Sequence, residues 1–436
     1  MAIDTIDYAL ADQERMEITN PRLKKLYNYL SEVGKNVYSD HFLLSNAVFS
    51  KSNLSLSSLG DYLGGQEPKR VSFLFSLRKI IRYFLKNFGW LFVFLMQHLA
   101  YKFSRQKFVF DFTKPLTLID IFFKPEQIAK NGDLNDRYFP GLEAKLKAKA
   151  ISYAYVPRFF GAEFPMHYYN MFRQLKEKKK PVLSTFKLLG FCDYLKMFTF
   201  IFIYPVRVLR QTGKLEESRE GKLLRCLIWE AMDQTAVKNF SRQLFGRNIS
   251  KLSFSEIKCI SWYENQPQDK NFYIGLRTIP EKVKIFGAQL YIWPTSVLNL
   301  YVDKNEISFR VIPDRILVNG SYYLRNESTL DFKVGPSMRY ARLFQTHVDA
   351  RNKTTLLVLM PFFEHEINEI LKMINEAKLS EKIFIKFHPS TNISKYTKQL
   401  EGVMQVTEDD IYTLFDRVGC VIGQSTGALV EATSLG

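Results

Sequence analysis

Short apolar runs alternate with amphipathic stretches through most of this chain. Residues 150–156 (AISYAYV) predict a strand and residues 166–180 a helix, with a further strand at 181–188 (PVLSTFKL). A long helical stretch follows to about residue 245. Ile257–Trp262 (IKCISW) predicts a strand, residues 269–277 a helix, Val283–Ala288 (VKIFGA) a strand, and residues 316–319, after Pro313-Asp314, another short strand. The alternation restarts after residue 335. Strands are predicted at 355–360, 382–387, 403–406 and Cys420–Gly423, and helices at 363–377, 393–400, 410–418 and 426–435. Strands alternating with helices predict parallel sheets covered on both faces. The expected fold class is therefore α/β, with two doubly wound units in tandem that hold ligands in a cleft beyond the carboxyl ends of their strands.

Residues 1–105 lack this alternation. Residues 52–70 are rich in Ser and Gly and read as a loop between helical patterns. No stretch reaches the roughly 20 apolar residues that cross a bilayer. The nearest is 88–100 (FGWLFVFLMQHLA), and a second, 197–206 (MFTFIFIYPV), is interrupted by Pro205. Lys69, Arg70, Arg78, Lys79, Arg82 and Lys86 precede the first, and Lys102, Arg105 and Lys107 follow it. Apolar and aromatic residues between basic flanks predict a helix lying in the interface of an anionic membrane. The expected organisation is a helical, membrane-associating extension (1–105), a first α/β domain (106–333) and a second (334–436). The second ends on a helix after four strands, so it is expected to be truncated or to have its last strands elsewhere in the chain.

Composition sharpens this picture in two places. Lys plus Arg is 61 against 44 for Asp plus Glu, a net charge of +17, which predicts a polyanionic neighbour: nucleic acid, an anionic membrane or a phosphate-bearing substrate. No helix-turn-helix, RNP or zinc pattern is present and the basic residues are spread along the chain, so nucleic acid is not the expected partner. The four cysteines, Cys192, Cys226, Cys259 and Cys420, form no CxxC pair and read as reduced thiols of a cytosolic chain. The N-terminus has no basic region followed by an apolar run, so it is not a signal peptide. A Walker A motif and GxGxxG are both absent, which argues against P-loop ATPases and nicotinamide enzymes. His365-Glu366 lacks the second histidine of an HExxH site.

Four constellations carry candidate chemistry. In Lys386-Phe387-His388-Pro389 a strand ends in His-Pro, which places the imidazole at the carboxyl edge of the sheet. Lys386 shares its face, two residues earlier. In Gly423-Gln424-Ser425-Thr426-Gly427 a strand runs through Gly into a helix. Free amides, the Ser425 and Thr426 hydroxyls and the bare backbone of Gly427 suit a phosphate there. Glu431, one turn on, is placed for a ribose hydroxyl. Glu264, in Trp262-Tyr263-Glu264-Asn265-Gln266, follows a strand and is placed to take a proton from an acceptor hydroxyl, or to act as nucleophile if configuration is retained. Arg339, after the break at Gly335-Pro336, is shaped to pair with a phosphate or sugar carboxylate. Arg277 and Gln289 are weaker candidates near the first sheet, and Asn319 and Gly320 are candidate wall residues there. Asp111, Asp120 and Asp136-Arg137-Tyr138 are candidate acceptor-side groups with no spacing to choose among them.

His-Pro followed about 36 residues later by Gly-x-Ser-Thr-Gly-x-x-x-Glu-Ala resembles the donor domain of GT-B glycosyltransferases, whose fold is two Rossmann-like domains facing a cleft. Within these it is most similar to the bacterial His-Pro type that uses CMP-activated sugars, the sialyltransferases and Kdo transferases of surface polysaccharide synthesis. The resemblance covers residues 335–436 well and 150–335 loosely. It implies that His388, Ser425 and Thr426 contact the nucleotide phosphate. The sialyltransferases carry an acidic pair followed by Gly where this chain has Glu264-Asn265-Gln266.

The resemblance implies a transferase that moves a Kdo- or sialic-type sugar from a nucleotide-sugar to a growing glycan or lipid-linked acceptor. Residues 106–333 would bind acceptor and 334–436 donor, on the cytoplasmic face of the inner membrane. No cofactor and no metal are expected, because the helix dipole, Lys386 and His388 offset the leaving nucleotide's charge. Two alternatives stand beside it: a CDP-glycerol- or ribitol-type phosphotransferase of teichoic acid-like synthesis, and a non-enzymatic basic protein binding membrane or nucleic acid.

Overall fold

The computed structural model describes residues 16–52, 57–68, 71–105, 110–111, 113–123, 136, 138–159, 164–177, 179–293, 297–324, 330–346, 354–361, 364–388, 391–400, 404–424 and 426–435. The chain divides into two compact units, Met1–Pro336 and Ser337–Gly436.

The first unit is built on six strands: β1 (Leu116–Phe123), β2 (Tyr153–Phe159), β3 (Ile257–Trp262), β4 (Val283–Ala288), β5 (Arg315–Val318) and β6 (Asp331–Val334). They are all parallel, in the order β2-β1-β3-β4-β5-β6. The chain steps outward from β1 to β2 and then returns to β3 on the other side of β1. This reversal is the topological switch point, where loops diverge and leave a crevice at the carboxyl edge. β1 lies inside the sheet, between β2 and β3, and is fully apolar apart from Thr117 and Asp120, and the run LTLIDIFF is not among the predicted strands. Its burial on both faces removes the alternation that marks a half-exposed strand.

Other local expectations are also corrected. Only Val182 of the expected strand 181–188 joins the sheet, by a single bridge to Tyr155. Pro181 has no amide to donate, and the Ser184 side chain accepts the Phe186 amide and starts a helical turn at Thr185–Leu188. The long helix expected up to residue 245 is three: Phe191–Thr212, Arg219–Glu230 and Ala236–Ser250. The segment 52–70 contains a short helix, Ser57–Leu63. Residues 393–400 form two 3-10 turns instead of a helix.

The N-terminal helices are packed into the first unit. Asn20 caps Pro21–Ser39 and Ser72 caps Phe73–Ser104. Lys51, fully buried, donates to the Tyr301 carbonyl (2.6 Å) and to Asp303 (3.0 Å) and Glu306 (2.6 Å), and Lys270 adds a second contact to Glu306 (2.7 Å). Helices Ala236–Ser250 and Pro267–Leu276 cross backbone to backbone. A Cβ on Gly275 would stand 2.2 Å from the Gln243 carbonyl oxygen, and one on Gly246 2.7 Å from that of Phe272.

The second unit has strands β7 (Leu356–Leu359), β8 (Ile383–Lys386), β9 (Met404–Val406) and β10 (Cys420–Gly423), all parallel, in the order β10-β7-β8-β9. Val358, Ile383 and Ile385 pack on one face against Ile367, Leu371 and Ile374 of helix Glu364–Ala377. Leu357, Leu359 and Phe384 pack on the other against Leu414, Phe415 and Val418. Successive residues thus point to opposite layers, and the unit is doubly wound, as expected. Its switch point lies between β7 and β10. All four cysteines are free, Cys226 and Cys259 buried, Cys192 and Cys420 exposed.

Candidate functional site

In the first unit the candidate site is the turn from β3 into helix Pro267–Leu276, beside the switch point. Asp269, the third residue of that helix, accepts the backbone amides of Glu264 (3.2 Å) and Gln266 (3.0 Å). Its other oxygen receives Arg158 of β2 at 2.5 Å. Arg158 also donates to both oxygens of Asp120, which takes further bonds from Arg242 (2.8 Å) and the Ser261 hydroxyl (2.9 Å). Asp120 is therefore no acceptor-side carboxylate. It is fully buried, its charge is spent on two guanidinium groups that hold its carboxyl below the usual carboxylate range, and its work is to fix Arg158.

The opposite side of the turn is pinned independently. Asn265 adopts a left-handed backbone (φ 53°), and its amide donates to the Asn299 carbonyl (2.6 Å) and to Glu306 (2.9 Å). The Asn299 side chain donates to the Glu264 carbonyl. The turn hangs between two buried charge clusters, Asp120–Arg158–Asp269 and Lys51–Glu306–Lys270.

Glu264 itself sits partly buried at the carboxyl end of β3, and its carboxylate accepts the Gln266 side chain. Burial and the nearby Asp269 charge raise its carboxyl pKa to about 7, against the pull of Arg158 and Tyr291. Aromatic rings gather at the same strand end. Trp262 meets Tyr138 at 4.5 Å and Phe122 at 4.7 Å between centroids, and Tyr291 at 6.4 Å. A carboxyl group that changes charge near neutral pH, beside a cluster of aromatic rings, suits proton removal from a hydroxyl of a sugar-like molecule.

The remaining first-unit candidates have structural roles. Asp111 closes a turn on Thr113 and pairs with Lys114. Asp136 accepts the amides of Tyr138 and Phe139, while Arg137 lies outside the described residues. Arg277 pairs with Asp314 (2.8 Å) at the far end of helix Pro267–Leu276, and Gln289 accepts the Asn319 amide (2.9 Å). Among the described residues a large cavity, about 740 Å³, lies at that far end. Phe200, Phe240, Leu244 and Ile274 line it, and Thr278 and Pro280 lead from it to the amino end of β4, the edge opposite Glu264.

In the second unit, β8 ends at Lys386 and His388 stands exposed just beyond it. Lys386 donates to the Asp409 carbonyl at 2.6 Å. β10 ends at Gly423, where a Cβ would approach the Leu359 carbonyl oxygen to 2.9 Å, so glycine lets the strand end lie close on β7. Thr426 is partly buried, and Gly427 precedes helix Ala428–Ser434 with no atom within 4 Å of a Cβ built on it. Ser425 and Pro389 lie outside the described residues, as does the side chain of His365. Sheet order places His388 and Thr426 at one edge with only β7 between their strands, about 10 Å apart at the usual strand spacing. Glu431 accepts the Tyr412 hydroxyl (2.6 Å), and burial together with this bond raises the tyrosine pKa. The Tyr412 ring lies under Arg342, which pairs with Asp410 (2.9 Å). Arg339 is exposed beside the Tyr340 ring in the 3-10 stretch Met338–Phe344.

Sequence reasoning missed Arg158, Asp269, Lys270 and Glu306, the residues that hold the Glu264 turn. The capping pattern Gln266-Pro267-x-Asp269 was a readable signal for one of them. The other three come together only through the fold.

No family model matches this chain, and no curated protein matches it. Among solved structures, it is similar to the crystal structure of Acinetobacter baumannii MurG, with a TM-score of 0.33 and 10% sequence identity over 73% of each chain. A TM-score this low identifies neither a fold family nor an activity.

Proposed function

We propose that this chain is a metal-independent glycosyltransferase of GT-B type, with Glu264 as general base and the carboxyl edge of β7, β8 and β10 as the nucleotide-sugar site. The observation that carries the reading is Glu264: a carboxyl group held by two charge clusters at a sheet switch point, with a pKa raised to about 7. In the transfer, Glu264 takes the proton of the acceptor hydroxyl. The acceptor oxygen bonds to the anomeric carbon, and the bond from that carbon to the nucleotide phosphate oxygen breaks with its electron pair. Lys386 and His388 offset the charge that develops on the leaving phosphate, and the Ser425 and Thr426 hydroxyls and the Gly427 amide supply donors to it. Glu431 and Arg339 complete the donor side.

The resemblance of the His-Pro and Ser-Thr-Gly motifs to those of CMP-sugar transferases favours a CMP-linked acidic sugar. A growing glycan or a lipid-linked acceptor at the cytoplasmic face of a membrane belongs to the same reading. The test is a thermal-shift series of the full chain with CMP, CDP, UDP and GDP, with and without His388→Ala. A ligand at about 100 times its dissociation constant stabilises by roughly 2.7 kcal/mol. A shift with CMP that His388→Ala removes supports the reading. A response to CDP alone, with phosphorus retained in the product, replaces it with a polyol-phosphate transferase. No response from folded protein refutes it.

A further inference from the structure

Helices Phe73–Ser104 and Phe191–Thr212 leave an apolar face uncovered. Fifteen of the twenty-five exposed large hydrophobic side chains among the described residues lie on these two helices. On the first, the stripe includes Leu74, Ile81, Leu85, Phe92, Leu99 and Phe103. Spacings of three and four, or sums of these, keep them on one side of the helix. On the second, Phe191, Leu195, Phe198, Phe202 and Val206 repeat the pattern. The helices run antiparallel: His98 meets Tyr194 at one end and Tyr83 stacks on Tyr204 at the other. The two stripes join edge to edge. Phe88 contacts Phe198 (6.0 Å) and Phe202 (5.7 Å), and Phe84 contacts Phe202 (5.9 Å). At about half exposure per side chain the face offers on the order of 1,000 Å², well above the few hundred Å² of an ordinary monomer surface.

Charge selects what covers it. Helix Phe73–Ser104 contains no Asp or Glu over 32 residues. Helix Phe191–Thr212 contains one, Asp193, which is buried and paired with Arg247 (2.7 Å). Around the apolar stripes stand Arg78, Lys86, Lys102, Lys196 and Arg210. Asp233 draws in Lys79, Arg82 and Lys86 along one flank (3.0–3.4 Å), leaving Arg82 and Lys86 nearly half exposed. An aromatic, apolar face with a rim in which cations outnumber the two flanking carboxylates, Asp233 and Asp40, complements acyl chains beneath anionic headgroups. A second copy of the same face would bring like charges together. No helix among the described residues is long and apolar enough to cross a membrane, so the geometry fits a surface-lying pair.

We infer that these two helices form a platform that seats the protein in one leaflet of an anionic bilayer, with the apolar stripes among the acyl chains. The inference rests on this surface and is independent of the transferase reading. The experiment is co-sedimentation of the full chain with phosphatidylglycerol-rich and with pure phosphatidylcholine vesicles. Wild type binds the former far more tightly. The triple variant Leu85→Gln, Phe92→Gln, Leu99→Gln, all at exposed positions, loses at least about tenfold in partitioning while its melting temperature holds. Arg78→Gln with Lys102→Gln and Arg210→Gln loses on the order of a hundredfold on anionic vesicles, at about fivefold per basic group, and little on neutral ones. In a Phe92→Trp variant, emission shifts blue and is quenched by bromines placed on the acyl chains. Folded wild type that ignores anionic vesicles overturns the inference. So does a dimer in light scattering that the triple apolar variant dissociates while vesicle binding stays absent. His388→Ala leaves vesicle binding unchanged whatever it does to nucleotide binding, so this proposal and the donor-site assignment fail separately.

Discussion

Replacing Glu264 with Gln should stabilise the protein at alkaline pH while removing transfer. The carboxyl pKa is raised from an ordinary 4.5 to about 7 in the folded chain. A group with a raised folded pKa holds its proton more tightly when folded. Its contribution to stability is therefore most favourable in acid and falls as pH climbs from about 4.5 to about 7. Above that window the ionised form opposes folding by up to about 3 kcal/mol, since each pKa unit is about 1.4 kcal/mol. The substituted carboxamide is neutral at every pH, and its carbonyl still accepts the Gln266 amide that Glu264 binds. At pH 8 the variant should melt higher by up to about 4 °C, given roughly 2.1 cal/mol/K per residue of unfolding entropy over the 336 residues of the first unit. Near pH 4 the two proteins should melt together. Transfer should fall about 10²- to 10⁴-fold, the usual contribution of a general base, and the wild-type rate should rise with pH through an apparent pKa near 7. Differential scanning calorimetry at the two pH values, with a radiolabelled-sugar transfer assay, reads both effects. A variant that melts lower at pH 8, or with the same offset at pH 4, would refute the burial argument. Retained transfer would sink the base assignment.

Three further perturbations test the scaffold beneath that site. Glu306→Gln leaves Lys51 and Lys270 buried without their shared anion. It should cost about 3–5 kcal/mol in urea unfolding and also lower transfer through the loss of order at Asn265. Gly275→Ala puts a methyl group 2.2 Å from a backbone oxygen where two helices cross. Overpacking of about 3 kcal/mol or more is expected, visible as a lower urea midpoint, and an unchanged midpoint would mean the helices are not in that contact. Gly423→Ala meets the Leu359 carbonyl oxygen at 2.9 Å and should destabilise the second unit by about 1–3 kcal/mol and weaken nucleotide-induced stabilisation. Limited proteolysis that cuts the second unit first would check it.

The outer architecture was legible because most strands here are short apolar runs separated by amphipathic helices. The second unit, from 355 onward, shows each of its four strands within a residue or two of its predicted position. Strand β1 was not legible. Leu116–Phe123 is buried on both faces and carries Asp120 in its middle, which reads as a polar interruption until Arg158 and Arg242 are seen to neutralise it. Residues 181–188 show the converse: Val182, Thr185 and Phe186 are β-prone, but at this sheet margin the Ser184 capping hydroxyl outweighed propensity. Glu264 was legible from its place after a strand. Its support was not, because Arg158, Asp269 and Glu306 lie 106, 5 and 42 residues away in sequence and meet only when β2, β3 and the segment after β4 are assembled.

Comparison of Glu264 with the two fully buried carboxylates Asp120 and Glu306 explains how it is kept basic. Asp120 and Glu306 are both fully buried, yet burial does not make them bases. Arg158 and Arg242 hold the Asp120 carboxyl down, and Lys51 with Lys270 hold Glu306 down to about 2. Their charges are absorbed by fixing the backbone on either side of residues 264–266. Glu264 is less deeply placed and is bonded to a neutral amide, and the charge that acts on it most strongly, Asp269, is of its own sign. Its carboxylate loses more by burial and by the Asp269 charge than the pull of Arg158 returns, and its pKa rises. The nearby cations are already committed: Arg158 serves Asp120 and Asp269, and Lys270 serves Glu306. Rigidity and basicity are thus supplied by different groups. Freeing Arg158 by removing Asp269 would loosen the turn and lower the Glu264 pKa in one step, so the network that orders the turn is also what keeps a compensating cation away from its carboxylate.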